Sequence, residues 1–400
     1  MSEPIKKAGK TPESYTPKKP EIVSMMDEAE RSMAQQTTTG SGLKEEKMKK
    51  IIEITTNPNG WEYWYFPSCF ASVWMRIEGV TADRQNVITR YAVVSGISHV
   101  QLDVNNEEHN ISGIGYKETV AIDEYDDYVK FTMGFAGYTY ERYEKGADKA
   151  TVFAAIKKSI DADRPALMNF GAHYHWCVII GYDDEDGTLY GVDYADEWRK
   201  YWKDKPGAYE NGMFVTGHWY EYMTDAVVVT GKTAPAVTYD DLFRRIVNIM
   251  ETMEKTGYVM RFADYLRNTV NFEGYDDEKY INLSGRIDTL IALLIDQRSW
   301  VKNFFNNMAK DESFNDKAQY FRRIAALYSS SADVCWLVWR MVGAFAKTPE
   351  LDTENCAKLL ASPIYRNAIA DAIKVIIGND RHILDCLKEM MGTDAAGKFI

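Results

Sequence analysis

A chain of 400 residues exceeds one ordinary hydrophobic core, so two to three domains are expected, and a hydrophobic share of 46% lets most of it fold. The formal net charge of −12 argues against nucleic acid or an anionic membrane as the main partner, because both favour basic surfaces. Cys69, Cys177, Cys335, Cys356 and Cys386 are scattered, without a CxxC pair or Cys/His ligand spacing, which points away from a disulfide framework and a zinc site.

The opening "MSEPIKKAGK" has no apolar stretch of the kind a secretory signal needs. No segment reaches the roughly 18 apolar residues of a membrane span. The expectation is a soluble, cytoplasmic protein with reduced thiols. Residues 1–50 are rich in Lys, Glu, Ser, Thr and Pro, and "QQTTTGSG" (35–42) is low in complexity, so a mostly disordered polar tail is expected there. "LKEEKMKKIIEI" (43–54) reads as a short helix where order begins.

Residues 51–235 read as a mixed α and β domain. In "FPSCFASVWMRIEG" (66–79), Phe70, Val73, Trp74 and Ile77 fall at the spacing of one apolar helix face. Ser68 is a natural N-cap, which sets Cys69 in the first turn. Backbone N–H groups there lack intrahelical partners and the helix dipole is positive, so a thiolate is favoured. A second helical pattern lies near 82–95. "YDDYVKFTMGFAGYTYERY" (125–143) has the composition of a strand. "KATVFAAIKKSIDADRP" (149–165) reads as a helix, with Val152, Ile156 and Ile160 four residues apart and Pro165 past its end. Strands follow at "PALMNFG" (165–171), "HWCVIIGYD" (175–183) and "TLYGVDYAD" (188–196). "DDEDG" (183–187) is a hairpin signal between the last two. "GMFVTGHWY" (212–220) and "DAVVVTG" (225–231) are two further strands.

From residue 236 to the end the patterns are helical, and an all-α domain is expected over 236–400. Thr238 or Asp240 caps its first helix, whose stripe is Leu242, Ile246, Ile249, Met250 and Met253. Ile287, Leu290, Ile291, Leu294, Val301, Phe304 and Met308 mark another helix. Further helices are expected at about 317–347, 353–377 and 380–392.

A thiolate nucleophile needs a base, and the base needs a third group to fix its tautomer. His175 opens an apolar strand, and Asp193 ends the next one. A hairpin at "DDEDG" would bring both to one rim of the sheet, a candidate base beside a candidate orienting carboxylate, and Cys69 is placed to be a nucleophile provided His175 reaches it. His218 and His173 are rival bases, and each of these residues has a plain structural reading as well. Cys177 reads as core. The acidic runs "DEYDD" and "DDEDG" lack calcium-loop spacing and read as solvated turns. No metal site and no cofactor are expected.

"SCFASVW", "RPALMNFG", "HWCVIIGYD" and "LYGVDYADE", in this order, resemble the papain-like cysteine peptidase superfamily. The likeness is greatest to the branch of bacterial double-glycine leader peptidases and butirosin-biosynthesis protein H N-terminal domains. It covers roughly residues 55–235. "TYDDLFRRIVNIME" and "IDTLIALLIDQRSWVKNFF", the latter carrying Arg298, resemble helical domains appended to the butirosin-H-like domain. The resemblance implies an α+β papain-like domain with Cys69 on its N-terminal helix, an antiparallel sheet, and an all-α domain behind it. It implies Cys69 as nucleophile, His175 as base and Asp193 as orienter. The superfamily often carries a Gln just before the cysteine as an oxyanion donor, and "NPNGWEYWYFPSC" has none. The Cys69 N–H is one substitute, with Asn59, Tyr63 or Tyr65 as the second donor. The implied function is acyl transfer through a thioester on Cys69: a peptidase or amidase if water accepts the acyl group, an acyltransferase if an amine does. The substrate is a peptide or an acyl thioester, on a carrier protein in one reading, and an oligomer is compatible with the helical domain. The alternative is a catalytically inactive binding scaffold of the same fold. A transglutaminase-like transferase shares the Cys–His–Asp order but has no further support in the sequence.

Overall fold

The computed structural model describes residues 48–54, 65–80, 90, 92–93, 128–170, 176–192, 213–342, 355 and 357–392. The chain divides into Met1–Glu46, outside the described residues, and a compact unit Lys47–Ile400. Within that unit an α+β part is followed by an all-α part.

Among the described residues, seven strands form one antiparallel sheet, in the order β2-β7-β3-β4-β5-β6, with β1 paired to β4. They are β1 (Lys49–Ile51), β2 (Tyr138–Glu144), β3 (Ala166–Phe170), β4 (Trp176–Asp183), β5 (Thr188–Val192), β6 (Met213–Thr216) and β7 (Met223–Lys232). The apolar runs of β3, β4 and β5 are buried almost throughout, as strands covered on both faces must be. Lys49–Ile51 is a strand and not the expected helix. It pairs with Asp183 to Gly181 of β4, past the point where β3 has left that edge. Gly181 makes this possible, since a Cβ there would lie 2.5 Å from the Lys50 carbonyl oxygen.

Helix α1 (Tyr65–Ile77) and helix α3 (Lys149–Asp161) pack on the sheet. Asp148 caps α3 by accepting from the Thr151 N–H at 2.8 Å. The stretch expected as a strand over 125–143 is instead helix α2 (Tyr128–Ala136) followed by β2. Val129, Thr132, Met133 and Ala136 are buried at helical spacing, and Gly137 ends the helix with φ +73°. Strand β6 stops at Thr216, and a single helical turn, α4 (Trp219–Tyr222), takes the rest of "GMFVTGHWY". The helical pattern near 82–95 lies mostly outside the described residues, with Arg90, Ala92 and Val93 helical.

The all-α part holds α5 (Tyr239–Thr256), α6 (Tyr258–Arg267), α7 (Asp277–Met308), α8 (Ala318–Met341) and α9 (Pro363–Met390). The apolar stripe expected for α7 is buried from Ile287 to Met308. Helix α9 fuses the two helices expected at 353–377 and 380–392. The buried stripe of Ile369, Ile373, Ile376, Ile383 and Leu387 runs straight past Gly378, and its packing outweighs the cost of about 1 kcal/mol for a helical glycine. The break falls earlier, where Pro363 opens the helix after Ser362. Packing crosses residue 235: Phe131 and Phe135 of α2 join the cluster of α5, α7, α8 and α9, and Ile249 of α5 joins the cluster under the sheet.

Candidate active site

Cys69 is the fifth residue of α1, because the helix begins at Tyr65 and not after Ser68. Pro67 falls in the first turn, where no N–H is needed, so it does not stop the helix. At the fifth position the Cys69 N–H donates four residues back, which corrects the expectation of an unpartnered first-turn amide.

The Cys69 side chain is fully buried among Phe66, Phe70 and Val73 of its own helix. Its Sγ donates to the backbone carbonyl of Trp176 at 3.2 Å. Trp176 opens β4 and is itself held firmly. Its indole Nε1 donates to the Tyr128 hydroxyl at 2.8 Å, and the Phe66 ring stands edge-on to it at 5.3 Å. Phe66 also meets the Tyr128 ring at 4.7 Å. Helices α1 and α2 and strand β4 therefore converge on one tryptophan, and the thiol rests against its carbonyl.

The first residue of β4 and the last residue of β5 lie at the same end of the sheet, since the two strands are antiparallel. His175 precedes Trp176 in the chain and Asp193 follows Val192, and both lie outside the described residues. So do His173, Asn59 and Tyr63. Tyr65 is the first residue of α1. The β4–β5 register runs from Asp183↔Thr188 to Val178↔Val192, with an irregularity between Ile179 and Gly181 that even counting from the turn does not foresee.

His218 lies at the wrong end of the sheet to serve Cys69. It precedes α4, where the Trp219 indole donates to the Gly187 carbonyl in the β4–β5 turn. The length of β4 separates that turn from Trp176, roughly 20 Å at strand rise. Its Nδ1 sits 3.0 Å from Glu221 Oε1, and its side chain is 47% exposed. The "DDEDG" run is a turn: Asp183 and Asp186 accept from the N–H groups of Glu185 and Thr188, and Asp184 pairs with Lys157. "DEYDD" lies outside the described residues. Cys177 is buried, with Sγ donating to the Met168 carbonyl at 3.2 Å.

Sequence reasoning passed over a polar pair at the same end of the sheet as Trp176. Asn169 of β3 pairs with Trp176 on one side and with Asp225 of β7 on the other. Asn169 is buried and its Oδ1 has no hydrogen-bond partner. Asp225 is buried as well, and burial pushes its carboxyl up while Arg142, donating at 2.9 Å, pulls it back. The available signal is the single Asn in the apolar run of β3 and the Asp directly before the Ala-Val-Val-Val run of β7.

Among the described residues no helix is long and apolar enough to cross a membrane. Neither the curated proteins nor the solved structures compared with the chain gave a match. Residues 123–227 match the family model of the Peptidase_C39 like family. The matched stretch holds α2, strands β2 to β6 and the start of β7, with His175 and Asp193, and begins after Cys69. The match supports a place for this stretch in the papain-like cysteine peptidase superfamily and suggests a cysteine-dependent, peptidase-like activity.

Proposed function

We propose that this protein is a cysteine-dependent acyl-transfer enzyme, with Cys69 as nucleophile, His175 as base and Asp193 as the carboxylate that orients the imidazole. The observation that carries the reading is the Cys69 thiol against the carbonyl of Trp176, the residue next to His175 in the chain. In the reaction His175 takes the Sγ proton and the thiolate attacks the acyl carbonyl carbon. The bond to the leaving group breaks, His175 gives that group a proton, and a thioester remains on Cys69. Attack by water releases an acid, and attack by an amine releases an amide. Either step restores the thiol. The substrate class is a peptide or an acyl thioester, the latter borne by a carrier protein.

A second reading, an inactive scaffold for binding, is favoured by two observations: Cys69 is fully buried, and its backbone N–H is committed to the helix. Alkylation by iodoacetamide, followed on the Cys69 peptide by mass spectrometry, separates the two. The enzyme reading expects fast labelling at about pH 6, lost in His175→Ala, because a paired thiolate forms well below the ordinary thiol pKa of about 8.5. Slow labelling at pH 6 in both proteins would overturn it and leave the scaffold.

A further inference from the structure

A cleft of about 480 Å³ opens at the seam between the α+β part and the helices, where α2, residues 236–237 and the first half of α5 meet. Its volume falls within the roughly 300–1,000 Å³ of small-molecule sites. Its lining divides by chemistry. Phe131 of α2, with Ala236 and Val237 of the link into α5, is apolar. Helix α5 is polar, with Asp241, Arg244, Arg245 and Asn248.

The polar side carries two guanidinium groups against one carboxylate. That carboxylate is engaged by the cap of α5. Asp241 Oδ2 accepts from the Thr238 hydroxyl at 2.6 Å and from the Thr238 N–H at 2.9 Å, and Oδ1 lies 3.5 Å from Arg244 Nη1. The Thr238 hydrogen bonds hold the carboxyl below the usual carboxylate range, so it is ionised at neutral pH. One positive charge is therefore in excess at the cleft, in a chain whose net charge is −12. Arg245 is steadied by Phe131, with its guanidinium 4.6 Å from the ring centroid. The Arg244 side chain is 51% exposed and Asn248 is exposed as well, so a molecule in the cleft can reach both.

These features define the occupant. A guanidinium only donates, and its planar fork matches a carboxylate. The Asn248 amide adds a further N–H donor. A cation would be repelled, and a neutral molecule would leave the excess charge unbalanced. The apolar side calls for a hydrocarbon body beside the charged group. We infer that this cleft is a binding site for a small organic carboxylate, its carboxylate on Arg244 and Asn248 within the field of Arg245, and its hydrocarbon body against Phe131, Ala236 and Val237. The site does not rest on the Cys69 chemistry and stands whether or not that reading holds.

The test uses the full-length protein and three probes: hexanoate, its neutral counterpart hexanamide, and acetate, which keeps the carboxylate and lacks the body. Binding is read by saturation-transfer NMR and by titration at low salt. Hexanoate should bind saturably, about tenfold tighter than hexanamide, which lacks the charge. It should also bind about tenfold tighter than acetate, which leaves the apolar side uncovered. Arg244→Gln should weaken hexanoate binding about fivefold or more, and Ala236→Trp, which fills the cleft from an exposed position, should abolish it. Both positions lie on the surface, and thermal melts check that each variant is folded, so a defect in one leaves the other to decide. Absence of saturable hexanoate binding, equal binding of hexanoate and hexanamide, equal binding of hexanoate and acetate, or hexanoate binding unchanged in a folded variant would each overturn the inference.

Discussion

The Cys69 thiol donates to the Trp176 carbonyl at 3.2 Å, across 107 residues of chain. This one bond ties the helix that carries the proposed nucleophile to the strand that follows the proposed base. It also makes Trp176 the residue whose fixing matters most to the site.

Trp176 is fixed by the Tyr128 hydroxyl, which its indole N–H reaches at 2.8 Å. Tyr128→Phe keeps the ring against Phe66 and leaves a buried N–H unpaired. We expect a loss of about 1–3 kcal/mol, the usual cost of such an orphaned donor. Urea unfolding gives the stability. The rate of Cys69 alkylation in the same variant should change with it, because the thiol leans on the same tryptophan.

Glu78, just beyond α1, receives Lys232 Nζ at 2.6 Å from β7 and the Tyr138 hydroxyl at 2.7 Å from β2. The hydrogen bond from Lys232 holds its carboxyl below the usual carboxylate range, with smaller help from Tyr138, and burial opposes both. A carboxyl depressed in the fold adds stability above its unfolded pKa, and that stability is lost as pH falls through the folded value. The melting temperature should therefore drop between pH 7 and pH 3.5. In Glu78→Gln this drop should be smaller. An identical pH dependence in both proteins would rule the ion pair out as a contributor.

Arg298 and Asp380 are a buried pair joining α7 to α9. Burial pushes the Asp380 carboxyl up, against the pull of Arg298. Arg298→Met strands the carboxylate and should cost about 3–5 kcal/mol, whereas the double change Arg298→Met with Asp380→Leu should recover most of that loss. Thermal melts of the two single variants and the double one form the cycle that measures it.

Helix α5 starts with a reciprocal cap. The Asp241 N–H donates to Thr238 Oγ1 at 3.2 Å, and the Thr238 N–H donates to Asp241 Oδ2 at 2.9 Å. Thr238→Ala should cost about 1 kcal/mol in urea unfolding. The cap stands where the α+β part gives way to helices, so amide exchange should quicken first in the opening turn of α5.

Cys335 is buried in α8, and burial pushes its thiol up to about 12. It should resist alkylation at pH 8 in the native protein and react only in urea. Native labelling of Cys335 at pH 8 would show that the all-α part opens far more readily than its core implies.

The sequence by itself determined the elements whose pattern is strong and local. The α+β part followed by helices, helix α3, the β4–β5 hairpin and the stripe of α7 were all legible, because burial on one face writes a period into the chain. Where two periods compete, the fold decided. Residues 128–136 have strand-like composition and became a helix because Val129, Thr132 and Met133 find a core at helical spacing. Lys49–Ile51 became a strand because β4 has an edge that β3 leaves open. Helix α9 runs through Gly378 because the core continues on both sides of it. At the site, the order Cys, His, Asp could be read from the residues. That His218 lies a strand's length from Cys69, that Tyr128 and Phe66 hold Trp176, and that the Cys69 amide is spent within its helix could not, since each depends on contacts between segments far apart in the chain.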